Sequence, residues 1–126
     1  MPGWPTTIYV VDNETTVRTA FSRLLRSAGF DVVPFCSAVK FFEQSTIDPD
    51  GCILTDIHMP EMSGLEIPAH LKLHGLSIPV IMITAVVDEA ILLRAEKLSE
   101  RVLQKPVDEK DLIAAIASLA KCRVSH

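Results

Sequence analysis

Cys52-Ile53-Leu54-Thr55-Asp56-Ile57-His58-Met59-Pro60-Glu61-Met62-Ser63-Gly64 is the stretch that decides how this chain folds. Its first residues form an apolar run of the length of a buried strand. The Pro/Ser/Gly-rich stretch that follows reads as a loop. Asp56 stands where one gives way to the other, at the C-terminal end of a core strand. In open α/β sheets, ligands and chemistry collect at that end. A carboxylate there is a candidate nucleophile if other strand ends supply a second acid, a hydroxyl and a lysine.

Outward from this strand the chain alternates strand-like and helix-like segments. Thr7-Ile8-Tyr9-Val10-Val11 reads as a first strand, stopped by Asp12-Asn13-Glu14. Val17, Ala20, Phe21, Leu24, Leu25 and Ala28 then recur at helical spacing, and Gly29 reads as the helix stop. Asp31-Val32-Val33-Pro34-Phe35 is a second strand. Its proline cannot donate to a ladder, which predicts an edge position. Ser37 can cap a short helix carrying Phe41 and Phe42. After the Asp56 strand, Ser63-Gly64-Leu65-Glu66 has capping-box spacing and predicts the start of a third helix, with Pro68 able to kink its first turn. Pro79 to Thr84 is a fourth strand. Asp88 to Leu98 is a helix with Ile91, Leu92, Ala95 and Leu98 as its apolar stripe. Arg101 to Gln104 is a short fifth strand before Lys105-Pro106. Asp108 and Asp111 open a last helix, with Leu112, Ile113, Ile116, Leu119 and Ala120 facing inward.

The first, third and fourth strands are nearly continuous apolar runs, as expected when helices cover both faces of a sheet. Alternating β and α elements predict parallel strands with right-handed crossovers. The expected fold is a doubly wound α/β domain with a five-stranded parallel sheet. The chain's 126 residues fit one domain, with a core from about residue 6 to about residue 121.

Composition narrows the function classes. Hydrophobic residues make up 48% of the chain, which suits a globular protein and not a disordered one. No apolar run approaches the ~18 residues of a membrane span. The first residues, Met1-Pro2-Gly3-Trp4-Pro5, lack the basic and apolar regions of a signal peptide, so a cytoplasmic protein is expected. Cys36, Cys52 and Cys122 are odd in number and widely spaced, unlike a disulfide framework or a zinc knuckle. A formal charge of −4 gives no general affinity for nucleic acid. A protein partner or a small ligand is the better expectation.

Four strand ends carry polar chemistry: Asp12, Asp56, Thr84 and Lys105. Taken singly, each has an ordinary explanation, since an Asp after a strand commonly caps a helix or shapes a turn and a Thr is simply a good strand residue. In a parallel sheet, however, these ends share one edge and can converge in one cleft. Together they point to a site that handles phosphate or metal.

The order Val11-Asp12, Asp56 followed by Met59-Pro60 and Ser63-Gly64, Thr84-Ala85, and Lys105-Pro106 resembles the receiver domain of bacterial two-component response regulators. The stretches Val17-Arg18, Leu24 to Phe30 and Met59 to Glu66 are most similar to its FixJ-like subgroup. The resemblance covers nearly the whole chain. It implies the CheY-like strand order 2-1-3-4-5 and names Asp56 as the phosphoacceptor. It implies Mg2+ as cofactor, held by Asp12, Asp56 and the backbone carbonyl of His58. Lys105 would contact the phosphoryl group, and Thr84 would be the switch hydroxyl that reorients toward it. The Lys105–Pro106 bond is expected to be cis. The implied partners are a sensor histidine kinase or phosphotransfer protein and a downstream output domain or target, with neither nucleic acid nor membrane bound directly. The helix 4, strand 5 and helix 5 face would carry the signal.

The chain departs from the family pattern in three places. Family members usually have two consecutive acids after the first strand, whereas this chain has Asp12-Asn13. Asn13 offers a carbonyl oxygen without charge, which predicts weaker Mg2+ binding. Glu14 would partly compensate if it turned inward. Val102 stands where the fifth strand usually carries an aromatic, so the output face is expected to signal differently. Pro68 sits at the start of the third helix.

Two other functions fit parts of the pattern. A pseudo-receiver that binds proteins without useful phosphotransfer is favoured by Asn13 and disfavoured by Asp56, Thr84 and Lys105. A Mg2+-dependent phosphohydrolase with an aspartyl nucleophile would usually place a second Asp where His58 stands. His70 and His74 are spaced to share a helix face but lack a surrounding metalloprotease motif, so they are expected on the surface. Cys52 is expected as a buried small hydrophobe. Phe21, Phe41 and Phe42 are expected in the core.

Overall fold

A computed structural model describes residues 7–44, 46–85 and 88–124, with side chains up to residue 119. Five parallel strands form one sheet in the order β2-β1-β3-β4-β5. They are β1 (Thr7–Val11), β2 (Asp31–Phe35), β3 (Cys52–Asp56), β4 (Val80–Thr84) and β5 (Arg101–Gln104). The helices are α1 (Thr15–Ser27), α2 (Ala38–Glu43), α3 (Ile67–Leu73), α4 (Glu89–Leu98) and α5 (Glu109–Val124). Doubly wound architecture and strand order match expectation, and β2 with its Pro34 lies on an edge.

Strand side chains alternate between two cores. Ile8, Val10, Leu54, Ile81, Ile83 and Leu103 pack with α1 and α5 residues such as Leu25, Leu112 and Ile116. Tyr9, Val11, Ile53, Val80 and Met82 pack on the other face with Phe41, Ile67, Leu71 and Ala95. β3 and β4 are buried along their whole length, which explains their lack of polar alternation. Cys52 is buried, as expected, and Cys36 is exposed. Phe41 is fully buried, while Phe21 and Phe42 are partly buried against the two cores.

Local chemistry sets the element ends. Ser37 caps α2 by accepting a hydrogen bond from Lys40 N at 3.1 Å, and Asp88 caps α4 through Ala90 N at 2.9 Å. Gly29 turns the chain after α1 at φ 99°. The third helix does not begin at the capping box as a continuous α-helix. Ser63 and Glu66 form the box, but a 3-10 turn, Gly64–Glu66, comes first. The α-helix starts only at Ile67, with Pro68 in its first turn. A proline there removes an N–H that a helix start leaves unpaired anyway.

Two expected stripes are narrower than periodicity implied. Ala20 and Ala28 of α1 are exposed. In α4 only Ala95 is buried, and Leu98 is 40% exposed. The inner face of α5 includes Ala115, which the sequence reading omitted. The side chains of Ala120 and Cys122, and Met1 to Pro5, lie outside the described residues.

Candidate functional site

Parallel register builds the site as a staircase at one sheet edge. Val11 pairs with Thr55, which places Asp12 and Asp56 level with each other just beyond. Asp56 pairs with Ile83, so Thr84 stands one step higher. Thr84 pairs with Gln104, and Lys105 stands one step higher again. All four expected residues thus reach the same edge because their strands end in register.

The side chains of three of them meet. Lys105 Nζ lies 3.2 Å from Asp56 Oδ2 and 3.7 Å from Asp12 Oδ2. Lys105 donates to Asp56 Oδ2, and its own N–H donates to Thr84 O at 2.8 Å. Thr84 is fully buried, and Asp12 and Asp56 are 2% and 7% exposed. The Lys105–Pro106 peptide is cis, as expected.

Backbone N–H groups hold the two carboxylates. Asp12 Oδ1 accepts from Glu14 N at 2.9 Å, and Asp56 Oδ1 accepts from His58 N at 3.2 Å. Burial raises the pKa of Asp12 above 3.8, and repulsion from Asp56 and Glu14 adds to that, while the Glu14 N–H and the Lys105 charge oppose it. A carboxyl taken out of water favours its neutral form unless cations or donors compensate.

The loop after Asp56 is clasped to it. Ser63 Oγ and Gly64 N both donate to Ile57 O, each at 2.9 Å. A Cβ at Gly64 would collide with the Asp56 carbonyl oxygen and with Ile57 Cα. Glu61 turns the loop at φ 70°, the left-handed region that few side chains adopt.

The donor set suits a hard cation. The buried carboxylates of Asp12 and Asp56 offer only oxygen, and Mg2+ commonly takes one or two carboxylates and keeps several waters. Among the described residues, no three acidic, histidine or cysteine side chains gather as a metal cage. Asn13 and Glu14 are both exposed.

The His58 side chain is exposed. His74 is exposed and His70 half-buried, yet both rings lie on Phe42, with centroids at 5.0 and 5.6 Å. Sequence reasoning missed the Arg18 contact with the Asp12 carbonyl, at 2.6 Å. It also missed the closeness of Gly64 to Asp56. The Ser63-Gly64 pair was visible, but its packing depends on tertiary structure.

A parallel sheet of this order, with a lysine bridging two buried carboxylates at its C-terminal edge, defines a phosphoryl-handling class of α/β domain. The family model of the response regulator receiver domain matches residues 8–117. The chain belongs to this family, the receiver domains of two-component systems, whose general function is phosphorylation on an aspartate and whose role is typically signalling. It is 36% identical over 115 residues to response regulator protein TodT of Pseudomonas putida, covering 90% of this chain and 51% of that protein. It is 36% identical over 116 residues to transcriptional regulatory protein FixJ of Azorhizobium caulinodans, covering 90% and 55%. The crystal structure of FixJ-N superposes with a TM-score of 0.82 at 31% identity, covering 95% of this chain and 97% of that one. The chain spans about half the length of the curated relatives it matches. Receiver domains generally bind Mg2+ for phosphorylation. No helix among the described residues is long and apolar enough to cross a membrane.

Proposed function

We propose that Asp56 is the phosphoacceptor of this receiver domain and that residues 1–126 act as one receiver unit. The observation that carries the reading is the Lys105 ammonium held against both Asp56 and Asp12. An oxygen of the Asp56 carboxylate attacks phosphorus, the bond to the donor atom breaks, and an acyl phosphate forms. Lys105 moves from the carboxylates to a phosphoryl oxygen as a point charge. Asp12, Asp56 and the His58 carbonyl would hold Mg2+, and the exposed Asn13 would add no charge to that set. When bound, the ion neutralises the phosphoryl oxygens. The Thr84 hydroxyl then reorients to the phosphoryl group, and this local event biases the face of α4, β5 and α5. On that face Val102 is half-buried and packs toward α4.

The donor in this reading is a sensor histidine kinase or a phosphotransfer protein. An apolar groove lined by Val17, Ala20, Phe21, Pro106 and Val107 opens beside Lys105, where a donor helix can deliver its phosphoryl group next to Asp56. The receiver passes its state to an output domain or protein target, in the cytoplasm, without binding nucleic acid itself and without turning over a substrate.

Incubation with Mg2+ and acetyl phosphate, followed by intact mass, tests the reading. One phosphate adduct that Asp56→Asn abolishes is the expected result. Rapid turnover of a phosphomonoester would point to a hydrolase instead. A second reading, a pseudo-receiver, rests on the uncharged and exposed Asn13, and absence of any adduct would favour it.

A further inference from the structure

We infer that Arg18 is a positioning residue of the acceptor cleft: by clamping the main-chain carbonyl of Asp12, it fixes the carboxylate that faces Asp56 and Lys105. The inference rests on the reading of this cleft as a Mg2+ and phosphoryl site.

The β1–α1 turn has little else to hold it. Glu14, the N-cap of α1, makes no side-chain capping bond, and the first turn of α1 holds no acidic residue. The turn is instead held by Asp12 and Arg18. The Asp12 N–H continues the β1–β2 ladder by donating to Phe35 O at 3.1 Å. Its carbonyl has left the ladder and accepts from Arg18 Nη1 at 2.6 Å. Arg18 Nη2 reaches Thr15 Oγ1 at 3.4 Å, so the guanidinium lies across the turn. Its own backbone is held in the helix by the bond from Arg18 N to Glu14 O at 2.9 Å. A half-buried charged donor on a carbonyl makes a stronger bond than a neutral one.

The clamp matters because the residue that follows Asp12 in the turn, Asn13, brings no charge to the site. With Asn13 neutral, Asp12 is the one acid that the tip of this turn directs into the cleft. Its carboxylate reaches Glu14 N on one side and Lys105 on the other. Freeing the Asp12–Asn13 peptide lets both contacts drift. Losing a group that orients a ligand from behind typically costs about ten- to a hundredfold in metal affinity.

Charge and clamping predict opposite signs. As a cation beside a cation site, Arg18 acting by charge alone would weaken Mg2+ binding, and its removal would tighten it. As a clamp, its removal weakens binding. The test is Mg2+ titration of wild type, Arg18→Met and Arg18→Lys by calorimetry, with amide NMR of Asp12, Asn13 and Glu14 in metal-free protein. Arg18→Met keeps the packed stem, and thermal melts confirm that each variant is folded. The expected result is a dissociation constant roughly tenfold weaker in Arg18→Met, partial rescue in Arg18→Lys, and shifted turn amides before metal is added. Unchanged or tighter binding in folded Arg18→Met overturns the inference. If wild type shows no saturable Mg2+ binding, the metal reading of the cleft falls and takes this inference with it.

Discussion

Lys105 Nζ stands 3.2 Å from Asp56 Oδ2, joining residues 49 positions apart in sequence. The contact exists because β3 and β5 end at the same edge on either side of β4. It places a positive charge where a phosphoryl group on Asp56 would need one. It also places that charge against a second carboxylate, Asp12, at 3.7 Å. The same ammonium that would stabilise a phosphoryl oxygen therefore competes with a divalent cation for both acids.

Replacing Lys105 with Met separates these two roles. Mg2+ should bind about three- to tenfold more tightly, because a unit charge ~4 Å away is worth about 1–4 kcal/mol before water replaces it. Phosphoryl uptake from acetyl phosphate should slow roughly a hundredfold, the scale for losing one donor to a developing negative charge. Calorimetry and time-resolved intact mass measure the two effects. Weaker Mg2+ binding in the variant would contradict the competition.

Asp12 carries a cost to the fold that pH exposes. Its folded pKa lies above 3.8, chiefly through burial. A carboxyl with a raised folded pKa binds its proton more tightly in the native state. Its ionisation therefore subtracts stability as pH rises through 3.8 to the folded value, and the loss is complete above that. Asp12→Asn removes the cost while keeping an oxygen for Glu14 N. The variant should melt a few degrees above metal-free wild type at pH ~7, and the difference should vanish at acid pH below the ordinary carboxylate value. A gap that persists at low pH would trace to packing instead of ionisation. Saturating Mg2+ should narrow the gap from the other side, since wild type, with the charged ligand, gains more from binding.

Much of this arrangement was legible in the sequence because periodicity and strand ends are local signals. Asp31–Phe35 reads as a strand with the bounds that the structure gives it, and Pro34 marks it as the edge strand that it is. Asp12, Asp56, Thr84 and Lys105 were recognisable because each follows or ends an apolar run in a chain of alternating elements. What escaped was set by packing between elements. Leu98 has the right helical phase to be buried, yet α4 buries only Ala95 and leaves Leu98 exposed. Arg18 stands out only through the Val17-Arg18 stretch shared with the FixJ-like subgroup, because nothing local says that its guanidinium folds back on the end of β1. His74 is exposed as its polarity suggests, whereas His70 is half-buried, and the packing of both rings against Phe42 depends on how α2 lies beside α3.

Gly64 is required by space, not by φ. A Cβ there would overlap the Asp56 carbonyl oxygen and crowd Ile57 Cα, both backbone atoms that cannot swing aside. Gly64→Ala should cost about 1–3 kcal/mol, the range for overpacking a tight site. It should also shift the Asp56–His58 segment and slow phosphoryl uptake. Chemical denaturation and intact mass measure both, and a variant as stable and as readily phosphorylated as wild type would show that the loop relaxes freely.

Glu61 presents the reverse case. Its φ of 70° suits glycine and strains a side chain. Glu61 is exposed, so its side chain has little packing to lose. Glu61→Gly should therefore gain about 0.5–1 kcal/mol, after the greater freedom of the unfolded glycine is deducted. Phosphoryl uptake should stay within about twofold, since the clasp at Ser63 and Gly64 is untouched. A loss of stability in urea denaturation would mean that the carboxylate makes a contact outweighing the strain.

Asn13→Asp tests how far the neutral residue limits this receiver. Asn13 is exposed at the tip of the turn that carries Asp12. An added carboxylate there raises the negative potential at the cleft even before it reaches the ion. A charge ~4 Å from the ion is worth about 4 kcal/mol gross at an effective dielectric of ~20, and solvent removes much of that. Mg2+ affinity should rise about three- to tenfold at low salt, and the gain should shrink as ionic strength rises. The Asp12 pKa should rise further, because a second acid repels it as Asp56 and Glu14 already do. Metal-free Asn13→Asp should therefore be less stable than wild type at neutral pH and regain that stability when Mg2+ is added. Calorimetric titration at two salt concentrations, with melts in the presence and absence of Mg2+, separates these effects. Equal affinity in the two proteins would mean that Asn13 only shapes the turn and that Asp12 and Asp56 set the strength of the metal site.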